Sequence, residues 1–379
     1  MRRILLFLSF LFFLYASWTV IDKLAAKSDN QSVFETITSE FNSVTHAEEL
    51  DELKGFLSRS IDYISTLLSS LSETSPEKNI IENKEVPRPD LVVPSEQTFS
   101  VHNIEIGESK EEVEKALGAP KRVSFNEYGT NWYSYHENYQ NFIMVAYDTQ
   151  NQVVGLYTNQ DLLTSTLNIT RGTPKQDVLN QLGEPLDKIQ KGFVYYQFQD
   201  DRDYEVFHID NSYITLFFDK HENNTVTSIQ IISESLEKSR PDFYTDASEQ
   251  LKEGFEFQLF DLTNASRVNN GLQVLTWDES VKETARKHSA DMAENNYFSH
   301  TNQQGLSPFD RMLADEILFT VAGENLAYGQ FSSVFAHEGL MNSLGHRENI
   351  LKADFEFLGV GVAFNSESHP YYTENFFAK

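Results

Sequence analysis

The chain has 379 residues, 40% of them hydrophobic and 13% aromatic, with 57 acidic against 30 basic side chains and a net charge of −27. That length and apolar content allow two domains with a core each and exclude global disorder. The acidity is spread along the whole chain, which excludes nucleic acid as a partner because phosphates need a basic face.

Met1-Arg2-Arg3 precedes an uncharged run from Ile4 to Val20. A positive start followed by an apolar segment is a Sec-type signal or a signal anchor. The run is near the lower limit for a membrane span, and Ala16-Ser17 supplies no clear Ala-x-Ala cleavage site. Residues 1–22 are therefore read as a retained anchor in preference to a cleaved signal, with everything after Asp22 outside the cytoplasm. Cysteine is absent, so stability there must come from packing alone.

Residues 23–99 divide into a helix and a linker. Leu50, Leu53, Leu57, Ile61, Ile64, Leu68 and Leu71 recur at steps of three and four, which predicts an amphipathic helix within 44–74. It is a stalk, a helix packing on a partner, or a short helix resting on its own domain. Pro76, Pro87, Pro89 and Pro94 among polar residues then make a proline-stiffened linker.

Residues 100–238 carry an internal repeat. Gly107, Val113, Leu117, Gly118 and Pro120 recur as Gly172, Val178, Leu182, Gly183 and Pro185. Ser109 or Thr173 suits the cap of a two-turn helix, and each glycine ends it. Strands are predicted at Phe142–Tyr147 and Val153–Tyr157, and again at 214–218 and 226–232, with Asp148 and Asp219 opening the turns. No cluster of ligand-type residues accompanies this pattern, so it favours a binding or spacer role. Residues 239–254, with Arg240-Pro241-Asp242, read as a connector.

Three polar motifs stand out in 255–379: Tyr297-Phe-Ser-His300, Gly323-Glu-Asn325 and Ser343-Leu-Gly-His-Arg-Glu-Asn349. Asp278 caps a helix with Val281, Ala285, His288 and Met292 on one face. That helix is left at Asn295-Asn296-Tyr297. Asp291, one turn from His288, suits a local cap or a partner for that histidine. Glu324 falls in a Gly-rich connection ending at Gly329, and His346 near the start of a turn or helix. Leu358–Phe364 and Tyr371–Phe377 alternate around a polar turn and predict a hairpin. Two histidines and a glutamate are a known ligand set for catalytic zinc, with one position left to water.

In order, Asn264 to Arg267, Leu275-Thr-Trp-Asp278, His288-Ser-Ala-Asp-Met292, Phe298-Ser-His300, Gly323-Glu-Asn-Leu326, Asn342 to Leu351 and Tyr371-Tyr-Thr-Glu-Asn-Phe376 resemble the bacterial branch of the CAP superfamily (SCP/PR-1-like). The duplicated region resembles the CAP-associated N-terminal domain. The resemblance implies an α+β protein whose last domain is an α-β-α sandwich, preceded by a duplicated helix-plus-strand domain and the hydrophobic anchor helix. It implies a cleft holding His300, Glu324 and His346, which become the candidate ligands of a divalent metal such as zinc. Glu324 is also the candidate general base, and His288, Asn349, Tyr372 and Glu374 the candidate cleft lining. Leu340, Leu344 and Glu374 stand where the family pattern has tryptophan, proline and glutamine.

Other signatures fail. His337-Glu338 begins a His-Glu-x-x-His motif, but Met341 stands at the second histidine position. Ser235-x-x-Lys238 falls in a linker that begins at Ser233, at the end of the repeat region, and neither a Gly-x-Ser-x-Gly elbow nor a Walker loop occurs. The preferred reading is an extracytoplasmic binding module for a metal, a small hydrophobic ligand or an envelope component. A metal-assisted hydrolase of peptides or wall polymers, and a structural envelope protein with a vestigial cleft, are the alternatives.

Overall fold

The computed structural model describes residues 86–191, 194–240 and 242–379, and among them β1 (Phe99–Val101) pairs antiparallel with β6 (Leu163–Ser165). The anchor expected at 1–22 and the helix expected within 44–74 lie outside these residues. No helix among the described residues is long and apolar enough to cross a membrane. The described end of the linker is tied down: the Ser95, Glu96 and Gln97 N–H groups donate to the Glu105 carboxylate at 3.0, 3.0 and 2.6 Å.

Between those strands lie α1 (Lys110–Leu117), β2 (Arg122–Phe125), β3 (Asn131–Glu137), β4 (Gln140–Tyr147) and β5 (Val153–Thr158). Next come α2 (Lys175–Leu182), the hairpin strands β7 (Lys188–Lys191) and β8 (Val194–Gln197), then β9 (Tyr204–Ile209), β10 (Ser212–Asp219), β11 (Thr225–Ser233) and α3 (Glu234–Ser239). Ser109 and Glu112 form a reciprocal capping box on α1. Thr173 does not cap α2; Pro174 holds that position, and the Thr173 hydroxyl accepts from the Thr170 N–H at 3.0 Å. The Gly118 and Gly183 N–H groups close the two helices onto Glu114 and Leu179 carbonyls, both at 2.9 Å.

The strands after each helix merge into one seven-stranded antiparallel sheet, ordered β2-β3-β4-β5-β11-β10-β9, joined where Ile229 pairs with Thr158. One face packs on α1 and α2 through Val113 and Val178. The other face, with Trp132, Phe142, Met144, Tyr157 and Phe217, packs on Leu262, Ala265 and Val334 from the C-terminal part of the chain. The repeat region is therefore no detached spacer.

Residues 239–254, expected as a connector, already contain the start of a 21-residue helix, α4 (Glu249–Asn269), capped by Ser248. Ser235 and Lys238 lie within α3 and not in a linker. The chain continues through β12 (Thr276–Trp277), α5 (Glu279–Asn295), α6 (Pro308–Ala314), β13 (Val321–Tyr328), α7 (Ser333–Met341), α8 (Leu344–Ile350), β14 (Phe357–Phe364) and β15 (Pro370–Ala378). The sheet order is β12-β14-β15-β13. The predicted hairpin is β14–β15, and Asp278 caps α5 by accepting the Val281 N–H at 2.9 Å. Asn296 ends that helix in the left-handed region, at φ 53°.

Side-chain alternation sorts the layers. Gly359 and Gly361 face α5 so closely that a Cβ on Gly361 would lie 2.1 Å from the Arg286 nitrogen. Leu358, Val360 and Val362 point the other way, onto Leu251, Phe255 and Leu259 of α4. Helices thus cover both faces of this sheet.

The seam between the two parts buries ionisable groups. Tyr157 and Ser228 hydroxyls each donate to Glu338 Oε1 at 2.6 Å, while burial pushes this carboxyl up to about 7 from an ordinary value of 4.5. A folded-state value above the unfolded one means that the folded chain holds the extra proton between those two pH values. The stability this proton supplies is present below pH 4.5 and lost as pH rises through 7. Buried neutral histidines act oppositely: burial lowers His136 to about 4 and His337 to about 3. Comparison with Glu338→Gln isolates the carboxyl. Between pH 5 and 8 the variant gains roughly 2–3 kcal/mol relative to the parent chain. Calorimetric unfolding of both at the two pH values measures this, and a constant difference would contradict it.

Candidate functional site

α5 ends at Asn295, and the turn that follows carries His300. Asp291 fixes that exit. It accepts the Tyr297 hydroxyl and, at 2.8 Å, the Asn295 side-chain amide. It does not bond His288, which is buried on the helix face with Nε2 against the Ser299 carbonyl at 2.9 Å. Burial lowers the His288 pKa, consistent with a neutral ring held by packing.

Glu324 sits in a strand, β13, and not in a Gly-rich connection. Gly323 is required there because a Cβ would come 2.9 Å from the Phe355 ring and 3.0 Å from Asn349 Oδ1. The Glu324 side chain is 1% exposed and both oxygens are engaged: Oε1 meets His300 Nδ1 at 2.9 Å, and Oε2 accepts from Arg311 Nη2 at 2.6 Å. Arg311, on α6, also donates to the His300 carbonyl at 2.8 Å, so one guanidinium holds both the carboxylate and the loop. Sequence reasoning passed over Arg311. The only local signal was the Ser307/Asp310 capping box that places its helix.

Asn325 points to the opposite side of the strand, where its amide donates to the His346 carbonyl and to Glu374 Oε2, both at 3.1 Å. Asn349 donates to the Glu324 carbonyl at 3.3 Å and to Asn325 Oδ1 at 3.0 Å, pinning α8 to β13. Ser343 precedes α8, but its hydroxyl bonds His346 Nδ1 at 2.9 Å instead of capping the helix. Burial lowers the His346 pKa, and so does the electrostatic influence of nearby His300. Arg347 turns away to pair with Asp219 at 2.8 Å.

Tyr372 and Glu374, expected to line the cleft, are buried in the core instead. They lie on β15, a central strand covered on both faces. Tyr372 donates to the Gln330 carbonyl at 2.9 Å, and Glu374 Oε1 accepts from Thr263 at 2.8 Å. Burial raises the Glu374 pKa to about 7, so this carboxyl acts as a core hydrogen-bonding group. Leu340 fills the core and Leu344 is exposed.

The expected three-residue ligand set is not assembled. Glu324 has no oxygen free of a protein partner, and among the described residues no group of three or more His, Cys, Asp or Glu side chains is placed to hold a metal ion. The same Glu324–Arg311 contact removes Glu324 as a free general base. The geometry instead makes Glu324 an orienting partner for His300. Both histidines bond through Nδ1, with no hydrogen bond to either Nε2 among the described residues, and the His300 side chain is 52% exposed.

Helices on both faces of a four-stranded sheet, with a His–Glu–Arg cluster at its edge strand, define a CAP-type module. The chain belongs to the cysteine-rich secretory protein (CAP) family: residues 260–376 match that family's model and residues 106–243 match the CAP-associated N-terminal model. It is 32% identical over 288 residues to the uncharacterized membrane protein YlbC of Bacillus subtilis (strain 168), covering 72% of this chain and 82% of that one. It is also 41% identical over 125 residues to the uncharacterized protein YkwD of the same organism, covering 33% of this chain and 48% of that one. An extracellular SCP-domain protein of Bacillus anthracis superposes with a TM-score of 0.63 at 27% identity, covering 78% of this chain and all of the other. A cysteine-rich secretory protein of Staphylococcus aureus shares the fold, with a TM-score of 0.60 at 14% identity, over 76% of this chain and 95% of its own.

Proposed function

We propose that the chain is an extracytoplasmic, membrane-anchored CAP-family protein that binds a ligand in the His300/His346 cleft and does not cleave one. The observation that carries this reading is the pair of histidines held through Nδ1, with Nε2 left to the cleft. A carboxylate on Nδ1 fixes the imidazole tautomer and raises the donor strength of the opposite nitrogen. That is the outer partner of a metal-binding histidine. His300 and His346 would supply two nitrogen ligands to a divalent ion such as zinc, the remaining positions falling to solvent or to an envelope molecule. Bound metal would supply Lewis-acid attraction for such a molecule. The extracytoplasmic placement is supported by the extracellular SCP-domain neighbour, and the membrane attachment by the membrane-protein relative.

The hydrolase reading is weaker here because Glu324 would have to give up Arg311 or His300 to take a proton from water. Zinc titration of the full chain by calorimetry tests the binding reading. One site is expected, with affinity falling at least about tenfold in His346→Ala while the fold is kept. An unchanged titration in that variant would remove metal binding from this cleft.

A further inference from the structure

A second cleft, of about 600 Å³, is lined by residues of both the repeat region and the C-terminal module. A row of aromatic rings in mutual contact crosses from one part to the other. Phe243, ahead of α4, packs on Phe331 at 5.0 Å between ring centres, and Phe331 on Phe335 of α7 at 4.5 Å. Phe335 meets Tyr204 at 5.0 Å, and Tyr204 meets Phe198 at 6.0 Å, both in the repeat region. All five rings line the cleft and are only half-buried. Tyr244 and Tyr328 extend the lining. Tyr328 is 40% exposed, and the Tyr244 hydroxyl is fixed by donating to the Gly329 carbonyl at 2.8 Å. Ring surface left to water on this scale marks a place that another molecule covers.

The shape of the row narrows what fits. Its rings meet at steep angles, 64° between Phe243 and Phe331 and 88° at both Tyr204 contacts. Rings set this way make ridges and slots, not the flat platform on which a sugar ring stacks. Slots between aromatic rings suit the side chains of a polyproline II segment, which is already stiff when free and loses little entropy on docking.

Charge adds a sign. Among the charged side chains of the lining, Arg202 pairs with Glu205 at 2.7 Å and Lys220 with Asp203 at 2.8 Å. Glu338 is engaged by the Tyr157 and Ser228 hydroxyls. Asp201 is left with no ion pair among the described residues, as are its neighbour Asp200 and, two residues beyond Tyr244, Asp246. An anionic ligand therefore meets carboxylates and no unpaired base, whereas a basic one is attracted by the cleft and by the net charge of −27. We infer that this cleft docks a partner protein through a short, basic, proline-rich segment in the polyproline II conformation. Proline rings fill the slots between aromatic rings, and an arginine or lysine side chain pairs with Asp201. The site is independent of metal binding at His300 and His346.

The test is fluorescence polarisation on the full chain with labelled synthetic peptides. One alternates proline and arginine, a second has glycine in place of proline, and a third has glutamate in place of arginine. Saturable binding of the first is expected, at least about tenfold tighter than that of the other two. Asp201→Lys, in an exposed loop, weakens it about fivefold, and Tyr328→Ala, which removes one ring, about tenfold. Glu111→Lys makes the same change in net charge on α1, which packs on the other face of the seven-stranded sheet. It leaves binding within about twofold, because salt screens so distant a charge. Near-UV circular dichroism establishes that Tyr328→Ala is folded; if it is not, Asp201→Lys decides. Absence of saturable binding of the proline–arginine peptide overturns the inference, and binding of labelled chitotetraose in its place would make the cleft a glycan site. Equal binding of the glycine peptide also overturns it, as does an Asp201→Lys chain that binds no more weakly than Glu111→Lys.

Discussion

Arg311→Met is expected to destabilise the C-terminal module by about 3–5 kcal/mol, the largest single effect at the cleft. Arg311 and Glu324 side chains are 8% and 1% exposed and meet at 2.6 Å. Removing the guanidinium leaves a buried carboxylate with only His300 beside it, and breaks the donation to the His300 and Leu306 carbonyls. Methionine has similar bulk, so packing is largely kept and the loss is electrostatic. Combining it with Glu324→Leu separates the causes. If the cost comes from an uncompensated charge, the double variant recovers most of the stability, because a buried pair is often replaceable by apolar residues at little cost. The double variant should nevertheless bind zinc more weakly than the parent, since His300 loses the carboxylate that orients it. Denaturant unfolding of the three variants measures the first part and calorimetric titration the second. A double variant no more stable than Arg311→Met would show that Arg311 acts through its carbonyl contacts.

The parts of this architecture that were legible in the sequence rest on local chemistry. Asp278 and Asn296 bound α5 because a cap and a left-handed residue act on their own neighbours. The β14–β15 hairpin follows from alternation around a turn in which Asn365 Oδ1 accepts the Glu367 and His369 N–H groups. The partners of Glu324 were not legible. Arg311 is thirteen positions away, on a separate helix, and only folding makes it the counter-ion. β13 was missed because Gly323 and Asn325 are poor strand formers, whereas here the glycine is demanded by Phe355 and Asn349 and the asparagine by bonds to α8 and β15. The docking of the two parts left a signal that was passed over. Phe142 to Tyr147 are all buried, and a strand apolar on both faces must be covered on both. Its second cover is α4 and α7.

That docking yields the other large expected effect, at Gly254 on α4. A Cβ there would lie 2.0 Å from the Phe125 carbonyl oxygen and 2.9 Å from its carbon, both main-chain atoms of β2. Helix propensity alone predicts that Gly254→Ala stabilises by about 1 kcal/mol. The overlap opposes this and wins. Neither backbone moves without loosening the contacts around it: Gln258 Nε2 to the Phe125 carbonyl at 2.8 Å, and Arg122 with Asp261 at 3.0 Å. Overpacking of this kind costs about 1–3 kcal/mol or more, so a net loss is expected, with faster hydrogen exchange along β2 and the first turns of α4. Gly339 on α7 is the control, because a Cβ there meets nothing within 4 Å. Gly339→Ala should raise stability by up to about 1 kcal/mol and leave exchange at the seam unchanged. The two alanines share residue type, secondary structure and chemistry, and differ in what lies opposite. Equal effects of the two on melting temperature would mean that the close approach of α4 to β2 does not hold in solution.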